Sequence, residues 1–187
     1  MDYEELDKYI DIVSHTNEFL VENIIPDFLT LSDLRFILTS LIREKISIKD
    51  ITYIFEKIND FVQDCTKSDL IKKIRLSISR QIVKNNVNED GVISAFEISE
   101  KTLDKFMPNF DEDDDAIIRI DAGFAETLAD KLNKKIKQHQ VQNPKLIVPL
   151  EFRHLIFTLL SNYMNDITVL SREEIGCIAQ IDIISEI

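Results

Sequence analysis

Apolar residues recur at every third or fourth position through the first half of the chain, which is the spacing of one face of an α-helix. The pattern runs from Tyr3 to about Lys84 in four stretches that short polar segments separate. Ser47, with Asp50 three positions later, is placed to cap the third stretch as a short-armed capping box. Four helices with short connections predict a small antiparallel bundle.

A turn that ends at Gly91 separates this half from the rest, because glycine adopts a positive φ without steric cost. Beyond it, short apolar segments alternate with helical stretches. We expect strands at residues 92–98, 116–120, 145–148, 167–170 and 181–184. Such alternation is typical of a small α/β layer structure. The sequence predicts an α+β protein, with a helical subdomain at residues 1–86 and an α/β subdomain with a mixed sheet at residues 87–187.

The formal net charge of the chain is -12, of which -9 lies after Lys84. Such acidity opposes attraction to phosphate backbones and to anionic lipid, so we expect neither nucleic acid nor a membrane surface as a partner. No apolar run approaches the roughly 18 residues that a membrane-spanning helix needs, and the N-terminus lacks a secretion signal. Cys65 and Cys177 are far apart, and we expect them to be reduced and mostly buried.

The residues do not predict a metal, a cofactor or an active site. Asp111, Asp113 and Asp115 have the spacing of a calcium loop, but Ala116 stands where the sharp turn needs glycine and Ala122 where the loop needs a bidentate glutamate. A solvated acidic loop is the better interpretation. The chain has three glycines and no phosphate-binding loop, nucleophile elbow or zinc motif. We therefore expect it not to be an enzyme.

Glu173 and Glu174 are adjacent carboxylates, an arrangement that can separate two pKa values for acid and base catalysis. Neighbouring residues usually point in different directions, however, and Arg172 precedes them. Ordinary surface ionic contacts are the better interpretation of this pair.

Several ordered motifs carry a resemblance to a known family. They are Leu31-Ser32, Leu38, Leu41, Arg43-Glu44, Ser47-Ile48-Lys49-Asp50, Glu56, Leu146-Ile147-Val148, Glu151-Phe152-Arg153, Val169-Leu170-Ser171 and Glu174-Ile175. Together they resemble the FHIPEP family of type III secretion export gates, which serve flagella and bacterial injectisomes. Departures occur at Lys45, at Arg172-Glu173 and at Gly176-Cys177.

The resemblance implies a fragment that holds the third, helical subdomain and the fourth, α/β subdomain of an export gate. Full-length relatives carry a membrane region and two further cytoplasmic subdomains, so membrane contact is expected only through that region. The resemblance also implies a nine-membered ring at the cytoplasmic face of the bacterial inner membrane. Its expected partners are secretion chaperones with their cargo, export regulators and other export components. A free-standing cytoplasmic adaptor with the same fold is the alternative.

Two surfaces follow as hypotheses. The helical subdomain supplies much of the ring contact in the family, and complementary charges on an exposed helix face would suit that role. The candidate interface residues are Arg35, Arg43, Glu44, Lys49 and Asp50. A solvated helix face is the alternative for each of them. Glu173 and Glu174 are the candidate residues for partner docking.

Overall fold

The computed structural model describes residues 1–104 and 122–187. Its contacts divide the chain into a first unit, Met1–Ile82, and a second unit, Val83–Ile187. The boundary that we predicted lies a few residues later, between residues 86 and 87. The α+β class predicted from the sequence is confirmed.

The first unit is helical. Its elements are α1 (Tyr3–Ile24), α2 (Leu31–Arg43), α3 (Ile51–Phe61), a 3-10 turn (Val62–Asp64), α4 (Lys67–Ser77) and α5 (Ser79–Lys84), which continues into the second unit. The side chain of Thr30 accepts the backbone N–H of Asp33 at the start of α2, and the Asp33 carboxylate accepts the N–H of Thr30 in return. This reciprocal capping box satisfies donors that the first helical turn leaves free.

Helices α2 and α3 each bury one apolar face. The buried positions of α2 are Leu34, Ile37, Leu38 and Leu41, and those of α3 include Ile54, Phe55 and Ile58. The three-to-four spacing of these residues places them on one side of each helix. The periodicity of the sequence therefore identified the core of this unit.

Helix α3 begins later than we predicted. Asp50, not Ser47, is its N-cap, and the Asp50 carboxylate accepts the backbone N–H of Tyr53. The preceding linker is held over the core because Ile46 and Ile48 are both buried. Helical geometry therefore starts only at Ile51.

The described residues of the second unit form a four-stranded sheet in the order β3-β2-β1-β4. Its strands are β1 (Val92–Glu97), β2 (Lys145–Ile147), β3 (Thr168–Leu170) and β4 (Gln180–Glu186). Every strand pair among the described residues is parallel, whereas we predicted a mixed sheet. The strand expected at residues 116–120 and the acidic loop at Asp111, Asp113 and Asp115 lie outside the described residues.

Helices pack against this sheet around one core. The helices are α6 (Glu100–Leu103), α7 (Ala122–His139), α8 (Leu150–Ser161) and α9 (Arg172–Ile175). Phe96 of β1 is fully buried, with Leu132 of α7 and Leu160 of α8 in the same cluster. Parallel strands need crossover connections, and these place the carboxyl ends of all four strands at one edge of the sheet.

Candidate functional site

The outer side of α2 combines basic and apolar residues. Arg35, Phe36, Ile42 and Arg43 recur at the spacing of one helix face, opposite the buried positions of α2. Phe36 is 49% exposed and Ile42 is 42% exposed. The guanidinium carbon of Arg35 lies 4.6 Å from the centre of the Tyr3 ring, which is within cation–π range. We call these four residues the α2 face.

Glu44 does not belong to this surface. Its carboxylate Oε2 accepts a hydrogen bond of 2.7 Å from Nη1 of Arg75, and the two side chains are 4% and 2% exposed. The prediction that Glu44 lies on an exposed contact face is therefore wrong. The reason is that α2 and α4 pack together, which brings Arg75 of α4 into contact with Glu44 at the end of α2.

The remaining interface candidates divide between two places. The structure brings Arg35 and Arg43 together on the α2 face. Lys49 and Asp50 are also exposed, but they lie in the linker before α3, where the Asp50 side chain caps that helix. The candidates therefore do not form one helix face.

A cross-helix ion pair fixes the start of α2. Lys67, the first residue of α4, donates to the Asp33 carboxylate, and this hydrogen bond lowers the pKa of Asp33. Burial opposes the shift, while hydrogen bonds from Thr30 reinforce it. The first turns of α2 and α4 are thus tied together next to the α2 face.

The second unit has a cavity of about 710 Å³ at the carboxyl edge of its sheet. Residues at or just after the carboxyl ends of the four strands line it: Glu97, Ile98, Ser99, Glu100, Lys101, Leu103, Ile147, Val148, Pro149, Arg172, Glu173, Glu186 and Ile187. We call it the edge cavity. Its lining joins an apolar part, which includes Val148 and Leu103, to charged residues.

Arg172 and Glu97 form an ion pair within this lining. Nε and Nη2 of Arg172 lie 2.8 Å and 2.6 Å from the same carboxylate oxygen of Glu97. The pair links the end of β1 to the start of α9. The Ser99 and Thr102 hydroxyls and the Ser99 backbone N–H all lie within 3.1 Å of the Ile187 carbonyl oxygen, which ties the end of β4 to the start of α6.

Glu173 and Glu174 point to different places. Glu173 is exposed and lines the edge cavity, so it stays available to a partner. Glu174 is fully buried; one of its carboxylate oxygens lies 3.4 Å from Nε of Arg153 and the other accepts the backbone N–H of Ser171. The prediction that Glu174 docks a partner is wrong, because the residue completes a capping box inside the core.

The buried pair of Arg153 and Glu174 is a feature that the sequence analysis missed. Arg153 occupies the same helical stripe as Ile156 and Leu160, which are core residues of α8. A charged residue in an apolar stripe is rarely buried without a partner of opposite charge. That signal predicts a buried carboxylate and was present in the sequence.

The described part of the chain offers little other chemistry. Within residues 1–104 and 122–187, no three His, Cys, Asp or Glu side chains are grouped to hold a metal ion. Cys65 is partly exposed and Cys177 is exposed, so the expectation that both thiols are mostly buried is wrong for Cys177. None of the helices described in these two ranges is long and apolar enough to cross a bilayer.

Residues 1–179 match the FHIPEP family. The chain belongs to the FHIPEP family. Among curated relatives, the flagellar biosynthesis protein FlhA of Bacillus subtilis (strain 168) is 24% identical over 176 residues, which cover 92% of this chain and 26% of FlhA. The chain thus spans about a quarter of the length of the curated relatives that it matches.

Solved structures show the same fold. The Shigella flexneri MxiA protein superimposes with a TM-score of 0.85 at 22% identity, over 98% of this chain and 58% of MxiA. The nonameric SctV-C of EPEC gives a TM-score of 0.84 at 18% identity, over 100% of this chain and 57% of that one. The CdsV protein in the Chlamydia pneumoniae CdsV and CdsO complex gives 0.82 at 19% identity, over 97% and 53%.

Proposed function

We propose that this chain is a non-catalytic, cytoplasmic part of a type III protein-export gate that assembles into a homo-oligomeric ring and docks export partners. Membership of the FHIPEP family carries the proposal. The fold shared with a nonameric SctV-C supports the ring, and the fold shared with CdsV from a CdsV and CdsO complex supports docking of other export components. The proposal places the chain at the inner face of the bacterial inner membrane.

The α2 face is the surface that we propose for ring contact. Phe36 and Ile42 supply apolar area whose burial is favourable, at roughly 25 cal/mol per Å². Arg35 and Arg43 flank this area and would select a neighbour of opposite charge. An apolar centre with charged residues around it is the usual composition of a protein interface.

We also propose that the chain docks secretion chaperones with their cargo. The net charge of -12 favours basic partners over acidic ones. A ring presents the same docking surface many times, so a partner that contacts several copies binds tightly even when each contact is weak. Of Glu173 and Glu174, Glu173 remains the candidate residue for docking, because it is exposed.

The test is ring assembly and secretion by the full-length protein of the native bacterium. We expect Arg35→Glu/Arg43→Glu to shift the protein from ring to monomer in sedimentation analysis and to reduce secretion. Lys134→Glu/Lys137→Glu, which makes the same charge change on exposed residues of α7, is the control. Unchanged assembly in the first variant would contradict the interface assignment. Fractionation of the native bacterium tests the alternative function. A soluble species of 21.7 kDa that contains this chain would favour the free-standing adaptor over the export gate.

A further inference from the structure

The edge cavity lies where a parallel sheet commonly binds its ligands. In the order β3-β2-β1-β4 the strand numbers fall to β1 and then rise to β4, so the strand order reverses beside β1. Ligands of open α/β sheets bind in the crevice at such a point. The volume of about 710 Å³ is within the range of functional pockets.

The charges that line the edge cavity select its ligand. Glu100, Glu173 and Glu186 are exposed, and they form no ion pair with residues 1–104 or 122–187. Among the described lining residues, Lys101 and Arg172 are the basic ones, and Arg172 is already paired with Glu97. Acidic residues outnumber basic ones in the lining, so the edge cavity repels phosphates and carboxylates and attracts lysine or arginine side chains.

The apolar lining adds a second requirement. Leu103, Val148, Pro149 and Ile187 contribute to the wall of the cavity. An apolar side chain that enters it removes its own surface and that of the wall from water, which is favourable in proportion to the area. A free cation would gain nothing from this part of the site. The lining therefore fits an apolar side chain next to a basic one.

Arg172 provides the contact for a peptide backbone. A guanidinium has five N–H donors, and those of Nε and Nη2 are directed at Glu97. The side chain is 55% exposed, so its other donors are free to reach the carbonyl oxygens of a bound segment. A small molecule without carbonyls would not use them.

We propose that the edge cavity binds a linear segment of an export partner in which leucine or a similar apolar residue stands next to lysine or arginine. The apolar side chain enters the cavity, and the basic one meets Glu173 and Glu186. This inference rests on the proposed function, because it names the chemistry of the docked partner. Single exposed ion pairs are weak, so one site binds loosely and a ring of sites binds by avidity.

The test uses the full chain and fluorescently labelled peptides, with anisotropy as the readout. The probes are acetylated peptides whose centre is Leu-Lys-Leu-Arg, Leu-Glu-Leu-Glu or Ser-Lys-Ser-Arg in an otherwise identical sequence. We expect only the first to bind, and more weakly as salt increases. Absence of binding by that peptide, or equal binding of the serine peptide, would overturn the proposal.

Variants locate the binding site. Glu173→Lys/Glu186→Lys is expected to weaken binding of the first peptide about tenfold, since each reversal replaces an attraction by a repulsion. Glu126→Lys/Asp130→Lys makes the same charge change on exposed positions of α7 and is expected to change binding less than about twofold. Equal loss in both variants would show general attraction to an acidic protein and refute the site. Circular dichroism confirms that each variant is folded.

The same variant separates this inference from the ring proposal. In the full-length protein, Glu173→Lys/Glu186→Lys is expected to leave ring sedimentation unchanged while peptide binding is lost. A protein that forms no ring but still binds the first peptide would refute the ring and retain the cavity. A protein that forms the ring but binds no peptide would refute the cavity alone.

Discussion

Replacing Arg75 with methionine is expected to destabilise the first unit severely. The change removes the guanidinium from a pair whose side chains are 2% and 4% exposed and whose atoms Nη1 and Oε2 are 2.7 Å apart. Glu44 would lose its charged partner without gaining water. Breaking a buried pair in this way costs about 3–5 kcal/mol of unfolding free energy, well above the 0–1 kcal/mol typical of an exposed pair.

The double variant Glu44→Leu/Arg75→Met distinguishes a lost partner from lost packing. With both charges removed, no desolvation penalty remains, and such replacements are often neutral or stabilising. We expect the double variant to be more stable than Arg75→Met by at least about 2 kcal/mol, which is a coupling typical of residues in contact. The pair would then be a structural feature in which the burial of each charge depends on the other.

Urea unfolding of the full chain, followed by far-UV circular dichroism, measures these free energies. Hydrogen exchange of amides in α2 and α4 assigns the loss to the first unit, because far-UV circular dichroism reports on both units at once. Arg80→Met, at an exposed position of α5, is the control and is expected to cost less than about 0.5 kcal/mol. A cost below about 1 kcal/mol for Arg75→Met, or strictly additive variants, would refute a buried, coupled pair.

Three further predictions concern other contacts. Lys67 lowers the pKa of Asp33, so this carboxylate contributes stability above its ordinary pKa of 3.8 and loses it as the pH falls further. Asp33→Asn should make the free energy of urea unfolding decline less steeply below about pH 4, whereas the charge control Asp27→Asn should leave this decline unchanged. Equal slopes in the two variants would contradict this prediction. Gln140 has a φ of 52°, so Gln140→Gly should stabilise by about 0.5–1 kcal/mol in thermal unfolding and not destabilise. Phe96→Ala should cost about 3–5 kcal/mol in urea unfolding and Phe96→Leu much less; similar values would show a poorly packed site.

The helical half could be predicted from the sequence because each helix carries its own apolar stripe. Leu34, Ile37, Leu38 and Leu41 are buried as their spacing requires. The sheet was predicted less fully. β2 and β3 have only three residues each, and their sequences do not indicate whether neighbouring strands run parallel or antiparallel. Strand direction depends on the connections between elements, which periodicity does not reveal.

The two buried glutamates show where local reasoning fails. Glu44 stands between Arg43 and Lys45 at the end of α2, and Glu174 lies two residues after Arg172 in the short helix α9, as surface residues often do. What buries them is an arginine distant in sequence, Arg75 for Glu44 and Arg153 for Glu174. The edge cavity could not be predicted for the same reason, because its lining comes from four separate segments that meet only once the sheet has formed.

The strand order has a consequence for how the protein is made. β1 lies inside the sheet, yet its longest partner is β4, with six residue pairs against two for β2. β4 is synthesised after β1, β2 and β3, so the hydrogen-bonding edge of β1 that pairs with β4 stays exposed until β4 has emerged from the ribosome. The first unit contains local helices and can fold during that interval. Of the two units, the α/β unit therefore stays incomplete for longer and is in greater need of protection from aggregation during synthesis.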